Sequence, residues 1–242
     1  MSRKTLSAID LEKSFKGKTV VKGLSLNVQS AEIVGLLGPN GAGKTTTFYM
    51  MAGIFKPDRG RVLVDTLDIT SMNLSQRARA GLSYLPQERS VFQGLSVEQN
   101  LLGVLEFQDI SRQERLERKD RLLEEFNLEH VSRNRARSLS GGEARRLEIA
   151  RALAIEPDFL LMDEPFAGID PITVTTIQDI IVGLKARGMA ILISDHNVRE
   201  TMRICDRAFI LSKGGILASG TPDEIAANPE VRTVYLGEGF SL

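Results

Sequence analysis

Gly38-Pro39-Asn40-Gly41-Ala42-Gly43-Lys44-Thr45 fills every fixed position of the phosphate-binding loop pattern G-x-x-x-x-G-K-[ST]. The stretch follows the apolar run 33–37 and leads into residues 46–51, so the sequence predicts a strand that turns into a helix here. In such a turn the glycines let backbone N–H groups converge on phosphate oxygens, and the start of the helix adds partial positive charge. We expect Lys44 to contact the β- and γ-phosphates of a nucleotide and the Thr45 hydroxyl to bind Mg²⁺. Thr46 completes the predicted phosphate-binding set.

The composition limits the class of protein. The chain has 242 residues, of which 42% are hydrophobic and 26% are charged, as in ordinary globular proteins. Lys+Arg 31 balance Asp+Glu 31, so no general affinity for nucleic acid or for an anionic membrane is expected. No apolar run approaches the ~20 residues of a membrane span, and no apolar signal core follows the basic start Met1-Ser2-Arg3-Lys4-Thr5. We therefore expect a cytoplasmic protein that reaches a membrane only through a partner.

Thiol and zinc chemistry are not expected. The chain has one cysteine, Cys205, and two histidines, His130 and His196. A single cysteine excludes an internal disulfide, and we interpret Cys205 as a small buried side chain rather than a nucleophile. These three residues are also too few for an ordinary structural zinc site.

Short apolar strands alternate with helices, which predicts right-handed crossovers and a mostly parallel sheet. The predicted strands are residues 6–13, 19–28, 33–37, 61–64, 81–85, 159–162 and 190–194, and the predicted later helices are 140–154 and 172–187. Between them, residues 96–137 change to a charged, helical pattern. In that block Ser111 and Glu114 predict a capping box, and the predicted apolar face consists of Leu116, Leu122, Leu123 and Phe126.

Two carboxylates, Asp163 and Glu164, follow the buried strand 159–162. They are expected at the carboxyl edge of the sheet, where ligands bind in α/β folds. Asp163 is predicted to hold Mg²⁺, directly or through water, opposite Thr45. Glu164 is predicted to polarise an attacking water or to accept its proton. Strands often end in acidic residues, but the pairing with a phosphate-binding loop favours the catalytic interpretation.

The segment Ser138-Leu139-Ser140-Gly141-Gly142-Glu143 predicts a second anion-binding helix start. Ser140 is a favourable N-cap, Gly141 and Gly142 expose their N–H groups, and the helix dipole points outward. By itself, a serine before two glycines indicates only that a helix begins. Its place ahead of the strand that ends in Asp163 favours a functional interpretation.

These motifs, in this order, resemble those of the ATP-binding-cassette (ABC) ATPases over essentially the whole chain. The resemblance is carried by residues 38–45, Gln87, 139–143, 162–164, 167–170 and His196. It implies that Gln87 senses Mg²⁺ and the γ-phosphate, that His196 contacts the γ-phosphate, and that Asp170 links two nucleotide sites. Without the family, a helix-capping role would be the better interpretation of His196. An aromatic residue near the N-terminus stacks on adenine in the family, and Phe15 is the candidate, although a phenylalanine at a strand end also packs in cores.

The resemblance implies a single nucleotide-binding domain over residues 1–242. A RecA-like α/β core with a small antiparallel N-terminal β-subdomain would comprise residues 1–95 and 155–242, and an α-helical subdomain would comprise 96–154. Each ATP would lie between the phosphate-binding loop of one subunit and residues 140–142 of the other, so a homodimer would have two sites. Two permease subunits would dock near Phe92, unless Phe92 instead packs at the base of the helical subdomain.

Four segments look more narrowly like the ATPase subunits of lipopolysaccharide exporters: residues 84–88, 165–171, 195–201 and 234–238. This implies that ATP hydrolysis drives extraction of lipopolysaccharide from the inner membrane, with the chain on its cytoplasmic face. The chain departs from that pattern at Ala144 and Met162, and at Gln93-Gly94, where basic residues are usual. The alternatives are the ATPase of a branched-chain amino acid importer and a soluble ABC ATPase acting on nucleic acid or ribosomes. Soluble ABC ATPases usually carry tandem cassettes or long inserts, which this sequence lacks.

Overall fold

A computed structural model describes residues 3–237 and 239–240. Met1, Ser2, Glu238, Ser241 and Leu242 lie outside the described residues, and with them parts of the N-terminal and C-terminal segments quoted above. The strands are β1 (Thr5–Phe15), β2 (Lys18–Gln29), β3 (Ile33–Leu37), β4 (Arg59–Val64), β5 (Leu67–Asp68), β6 (Leu82–Leu85), β7 (Phe159–Asp163), β8 (Ala190–Ser194), β9 (Arg207–Ser212) and β10 (Gly215–Gly220).

The α-helices in the described residues are α1 (Lys44–Ala52), α2 (Leu74–Arg79), α3 (Val97–Leu105), α4 (Arg112–Glu125), α5 (Gly141–Leu153), α6 (Pro171–Ala186), α7 (Val198–Met202), α8 (Pro222–Ala227) and α9 (Pro229–Val231). Five of them, α1 and α3 to α6, lie where the sequence pattern predicts helices, and the other four were not predicted. Short 3-10 turns cover Glu129–Val131 and Ala136–Ser138, and a π-helical turn covers Arg232–Leu236. None of the helices in the described ranges is both long and apolar enough to cross a membrane.

Two sheets form the framework. The N-terminal strands make an antiparallel sheet in the order β2-β1-β4-β5, and its buried residues share one apolar cluster with Phe48 of α1. The second sheet has the order β10-β9-β3-β8-β7-β6, in which only the edge strand β10 is antiparallel. The prediction of a mostly parallel α/β sheet with a separate antiparallel N-terminal sheet is confirmed.

The parallel sheet is covered on both faces, which explains the continuous apolar runs of its central strands. Every residue of β3, β7 and β8 is buried. Along β7, Leu160 and Met162 face the cluster that contains α5 and α6, whereas Phe159 and Leu161 face α1 and the antiparallel sheet. Because β3, β8, β7 and β6 run parallel, the segments that follow them meet at one edge of the sheet.

The prediction for residues 96–137 is right for α3 and α4 but wrong for its last part. Residues 132–137 run antiparallel to residues 93–98, where Ser96 and Arg135 form a β-bridge. The capping box forms only in half, since Ser111 Oγ accepts from Glu114 N (3.1 Å) but the Glu114 carboxylate pairs with Arg118 one turn on (3.4 Å). Leu116 is 37% exposed, so the buried face of this region consists of Leu122, Leu123 and Phe126 without it.

Candidate active site

Helix α1 begins with an open N-terminus. Eight of the nine α-helices in the described residues begin at a side chain that accepts a hydrogen bond from the first turn, whereas α1 begins at Gly43 without one. The first N–H groups of a helix have no partner within the helix, so those of α1 are left to a ligand. Thr45 is exposed and Thr46 is half-buried on this first turn. The arrangement favours an anion at residues 43–46.

The loop before α1 passes too close to its neighbours for larger residues. Gly38 has φ 145°, and a Cβ there would lie 2.2 Å from the Leu211 carbonyl oxygen. Gly43 has φ 107°, and a Cβ there would lie 3.1 Å from the Val20 carbonyl oxygen. Among the other loop residues, Ala42 is buried, Pro39 is half-buried, and Asn40 and Gly41 are exposed. The glycines therefore let the loop fold tightly over the start of α1.

Lys44 is buried inside this loop. Its Nζ donates to the carbonyl oxygens of Gly38 (2.7 Å) and Pro39 (3.2 Å). Burial lowers the pKa of the Lys44 ammonium, and this shift is opposed by three nearby carboxylates, Glu164, Asp163 and Asp195. A phosphate would therefore compete with two backbone carbonyls for this ammonium.

Asp163 ends β7 and is only 1% exposed. Its Oδ1 accepts a hydrogen bond from Ser194 Oγ (2.5 Å) at the end of the neighbouring strand β8. Its Oδ2 is buried and accepts no hydrogen bond of ordinary geometry within the described ranges. Burial raises the pKa of the Asp163 carboxyl, although the Tyr84 hydroxyl lies near enough to the carboxylate to lower this pKa. A buried carboxylate oxygen without a hydrogen bond of ordinary geometry is suited to Mg²⁺, which prefers oxygen ligands, so the residues present fit the predicted metal.

Gln87, Glu164 and His196, the three residues predicted to be catalytic, are brought together. Gln87 Nε2 donates to Glu164 Oε2 (2.9 Å), and His196 Nδ1 lies 3.1 Å from the same oxygen. Within the described part of the chain no hydrogen bond involves Glu164 Oε1. One oxygen of the carboxylate is therefore held in place while the other is left to a ligand or a water.

The backbone around Glu164 is fixed by the neighbouring elements. Glu164 has φ 49°, an unfavourable region for a residue with a side chain, and its N–H donates to Ser194 O (2.7 Å). Arg145, buried on α5, donates to the carbonyl oxygens of Glu164 (3.2 Å), Pro165 (3.2 Å) and Pro86 (3.3 Å). Arg145 therefore ties α5 to both of the loops that carry Glu164 and Gln87. Sequence reasoning missed this residue, because surface arginines are common on charged helices.

Asp195 is a second residue that sequence reasoning missed. It is fully buried, and its carboxylate accepts hydrogen bonds from Phe166 N (3.0 Å) and Asn197 N (2.8 Å). Burial raises the pKa of this carboxyl. Asp195 thus joins the loop after Glu164 to the loop that carries His196. The only available signal was a lone acidic residue after an apolar strand.

Residues 140–142 lie at the start of α5, where Ser140 and Gly141 face outward. Ser140 Oγ accepts from Glu143 N (3.3 Å), and Glu143 Oε2 accepts from Ser140 N (2.8 Å), which completes a capping box. Ser140 and Gly141 are exposed, and Gly142 is buried. No hydrogen bond in the described ranges joins residues 140–142 to residues 38–46. Within one chain, the two predicted phosphate sites are therefore not joined by hydrogen bonds.

Asp170 is the N-cap of α6. Its carboxylate accepts from Thr173 N (3.0 Å) and Thr173 Oγ1 (2.6 Å), and these bonds lower the pKa of Asp170. Thr173 also lies beside Gly142, where a Cβ would be 3.0 Å from its Cγ2 and Oγ1 atoms. The starts of α5 and α6 are therefore in contact.

Phe15, the candidate for adenine stacking, lies at the end of β1 and is 39% exposed. Its ring meets Phe55 edge-on (5.4 Å between centroids), and Phe55 meets Tyr49 of α1 in the same way (5.2 Å). Phe15 is therefore connected to the helix that follows the phosphate-binding loop while part of its ring faces solvent. Its contact with a base stays a prediction.

Comparison with known proteins defines the class. Residues 21–167 match the ABC transporter family, and residues 216–241 match the family described as branched-chain amino acid ATP-binding cassette transporter. The first match spans more than half of the chain. The chain belongs to the ABC transporter family, and it is an ATPase.

Two curated relatives are similar over nearly their full length. The chain is 54% identical over 239 residues to the lipopolysaccharide export system ATP-binding protein LptB of Escherichia coli (strain K12). It is 53% identical over 238 residues to the protein of that name from Haemophilus influenzae. Each comparison covers 98% of this chain and 99% of the relative.

Solved structures share the fold. The ADP conformation of an ATP-binding cassette of an ABC transporter has a TM-score of 0.87 at 28% identity, covering 97% of this chain and 99% of that one. The dimeric structure of a bacterial ABC transporter cassette has a TM-score of 0.81 at 25% identity, covering 90% of this chain and 98% of that one.

Proposed function

We propose that this ATPase is the energy-supplying subunit of a lipopolysaccharide exporter and that its catalytic centre is the Gln87–Glu164–His196 cluster. The observation that carries the chemistry is the double contact on Glu164 Oε2, which fixes the carboxylate and leaves Oε1 without a bond in the described residues. A fixed carboxylate beside a phosphate-binding loop is suited to accept the proton of a water that attacks the γ-phosphorus of ATP. ADP and inorganic phosphate are the products of that attack.

Mg²⁺ would be held by Asp163 and the Thr45 hydroxyl, with Gln87 as a further oxygen ligand. When bound, the ion neutralises charge on the β- and γ-phosphates. The chain's own part is to bind and orient: Ser194 holds Asp163 Oδ1, and Lys44 together with the open start of α1 binds phosphate oxygens. His196 is exposed and lies next to Glu164, and it would donate to the γ-phosphate.

A complete site would need a second copy of the chain. Ser140 and Gly141 are exposed, residues 140–142 form no hydrogen bond with residues 38–46 in the described ranges, and a related cassette of 25% identity is dimeric. In a head-to-tail homodimer each Ser140 would meet the γ-phosphate bound by the partner subunit, and Asp170 would link the two sites. The division into a core of residues 1–95 and 155–242 and a helical subdomain of residues 96–154 belongs to this proposal.

The transported substrate is proposed from the relatives. Both curated proteins reported above are ATP-binding proteins of lipopolysaccharide export, at 53% and 54% identity over nearly the full length. The match to the branched-chain amino acid transporter family is confined to residues 216–241. The described part of this range contains most of β10, the edge strand of the sheet farthest from β6 and β7, and the short helices that follow it. Because the similarity to the lipopolysaccharide export proteins covers nearly the whole chain, we prefer lipopolysaccharide to branched-chain amino acids as the transported substrate.

Docking on the permease is proposed near Phe92, with the chain on the cytoplasmic face of the inner membrane. Phe92 is 53% exposed, and the Arg151 guanidinium lies over its ring at 4.6 Å. A cavity of about 320 Å³ near it is lined by residues on both sides of Gln87 in the chain and by α5, among them Tyr84, Pro86, Ser90 and Arg151. A partner bound here would touch the segment that positions Gln87.

The experiment is to capture the tagged chain from detergent-solubilised membranes and identify its partners. Permeases with periplasmic domains that act on lipopolysaccharide are expected, and a solute-binding protein with an amino acid permease would instead support import. Phe92→Ala should reduce capture at an unchanged melting temperature, because large exposed aromatic residues dominate such contacts. A variant that melts several degrees lower and is captured normally would place Phe92 in the core.

A further inference from the structure

Two buried polar atoms on neighbouring strands have no hydrogen bond of ordinary geometry within the described residues. One is Asp163 Oδ2 at the end of β7, and the other is the hydroxyl oxygen of Tyr84 on β6. The other buried side-chain atoms in this condition lie on helices or in the π-helical turn, so these two are the ones that belong to strands. Buried polar atoms in native proteins nearly always have a partner, so this pair requires an explanation.

The strand register brings the two side chains to the same face of the sheet. Strand β7 lies between β6 and β8, with Tyr84 opposite Leu161 and Ser194 opposite Asp163. Because side chains alternate along a strand, Asp163 lies on the same face as Leu161, and therefore on the same face as Tyr84 and Ser194. This is the face that α1 covers, and the first turn of α1 carries Thr45. Tyr84 and Ser194 thus flank the predicted metal ligand from the two neighbouring strands.

Tyr84 lies close enough to Asp163 for a direct interaction. Burial raises the pKa of the Tyr84 phenol, and the negative charge of Asp163 raises it further. The Tyr84 ring also meets the ring of Tyr49 on α1 edge-on (6.3 Å between centroids), which restricts its position. A neutral phenol has one hydrogen to donate, and an ionised carboxylate can only accept. Toward Asp163, the Tyr84 hydroxyl can therefore act only as a donor.

We propose that the Tyr84 hydroxyl donates to Asp163 Oδ2 when Mg²⁺ is bound and thereby positions this carboxylate for the ion. Ser194 Oγ already donates to Oδ1 (2.5 Å), so a hydroxyl from each neighbouring strand would hold one oxygen of the carboxylate. Oδ2 keeps a second lone pair for the metal. Hydrogen bonds of this kind orient metal ligands and tune their affinity for the ion. The inference rests on the proposed function and adds a positioning residue to its metal site.

The test compares the affinity of the purified chain for a fluorescent ATP analogue in excess Mg²⁺ and in EDTA. By linkage, the ratio of the two affinities equals the factor by which the protein raises the affinity of the nucleotide for the ion. Tyr84→Phe removes one hydroxyl and keeps the ring. It should lower this ratio about tenfold, as expected for loss of a hydrogen bond to a metal ligand. The affinity in EDTA should stay that of the wild type, because the phosphate contacts of Lys44 and α1 are unchanged.

Two further variants serve as references. Ser194→Ala removes the hydroxyl that holds Asp163 Oδ1 and should lower the ratio by a similar factor. Ser83→Ala is the matched control, because it removes a buried hydroxyl from the adjacent position of β6, on the opposite face of the sheet. It should leave the ratio unchanged.

Three outcomes would overturn this role of Tyr84 alone. An unchanged ratio in Tyr84→Phe would show that the hydroxyl only packs beside Tyr49. An equal loss of affinity with Mg²⁺ and with EDTA would show that Tyr84 supports the phosphate-binding loop rather than Asp163. An equal fall of the ratio in Ser83→Ala would indicate a general disturbance of β6. If the wild type itself bound the analogue no better with Mg²⁺ than with EDTA, the proposed metal site would fail and this inference with it, whereas the first three outcomes leave the proposed function intact.

Discussion

Two helices, α1 and α5, begin in glycine-rich segments, and the first backbone N–H groups of the two helices have different hydrogen-bond partners. Helix α1 begins at Gly43 with no side-chain cap, and its lysine is buried beside carboxylates of the same chain. Helix α5 begins at the exposed Ser140, whose capping box with Glu143 is complete. An uncapped start leaves its first N–H groups to water or to a ligand, whereas a capped start is satisfied by its own side chains and, when exposed, can meet another molecule.

The contrast assigns different parts of the reaction to the two regions. The region around α1 brings together the phosphate-binding loop, Asp163 and the cluster of Gln87, Glu164 and His196. It therefore contains the groups for binding and chemistry. The start of α5 offers Ser140, two glycine N–H groups and a helix dipole, and these would act on a nucleotide held by another subunit.

The largest expected effect lies in the first region. Glu164→Gln removes the proton acceptor and leaves Lys44, Thr45 and Asp163 to bind Mg-ATP. Phosphate release should fall by roughly 10²–10⁴-fold, the usual contribution of general acid–base catalysis, with ATP affinity nearly unchanged. Turnover of the purified variant close to that of the wild type would exclude Glu164 as the base.

The second effect tests whether the open start of α1 holds the nucleotide. Lys44→Ala removes the one side-chain cation of the loop, and affinity for a fluorescent ATP analogue should fall by about 10–100-fold, since hydrogen bonds to charged groups are the strong ones. Ser140→Ala is the matched change at the other helix start and should leave the affinity of the monomer unchanged. An unaltered dissociation constant in Lys44→Ala would contradict the phosphate site.

The third and smallest effect concerns Asp195, which holds the loops that carry Glu164 and His196. Asp195→Ala leaves Phe166 N and Asn197 N without their acceptor, which should cost about 1–3 kcal/mol of folding free energy. Displacement of the His196 loop should lower ATP turnover about tenfold. Thermal unfolding and phosphate release measure the two effects. A variant with normal turnover would show that Asp195 supports the fold and not the cluster.

Much of this site could be predicted because its signals are local. The phosphate-binding loop needs particular residues at consecutive positions, and the apolar run before Asp163 identifies a buried strand without knowledge of its neighbours. The strand at residues 190–194 was predicted with its observed bounds for the same reason. The mostly parallel sheet follows from the alternation of such strands with helices.

The contacts that depend on strand order could not be predicted from residue patterns. Gln87 meets Glu164, 77 positions away in sequence, because β6 lies beside β7, and no local pattern states that pairing. The roles of Ser194 and Asp195 arise in the same way from the position of β8 next to β7. The capping box at Ser111 was predicted in full but forms only in half for another reason. The Glu114 carboxylate pairs with Arg118 on the same helix instead of with the backbone N–H of Ser111.

We propose that residues 140–142 act on the nucleotide of a second subunit, and sedimentation of the ATP-loaded Glu164→Gln protein measures whether they do. This variant should shift from monomer to dimer with ATP, because hydrolysis no longer removes the γ-phosphate that joins the subunits. Adding Ser140→Arg should return it to a monomer that still binds ATP, since the new side chain would crowd the partner's γ-phosphate without reaching its own loop. A double variant that still sedimented as a dimer would show that Ser140 does not face the nucleotide of the partner subunit.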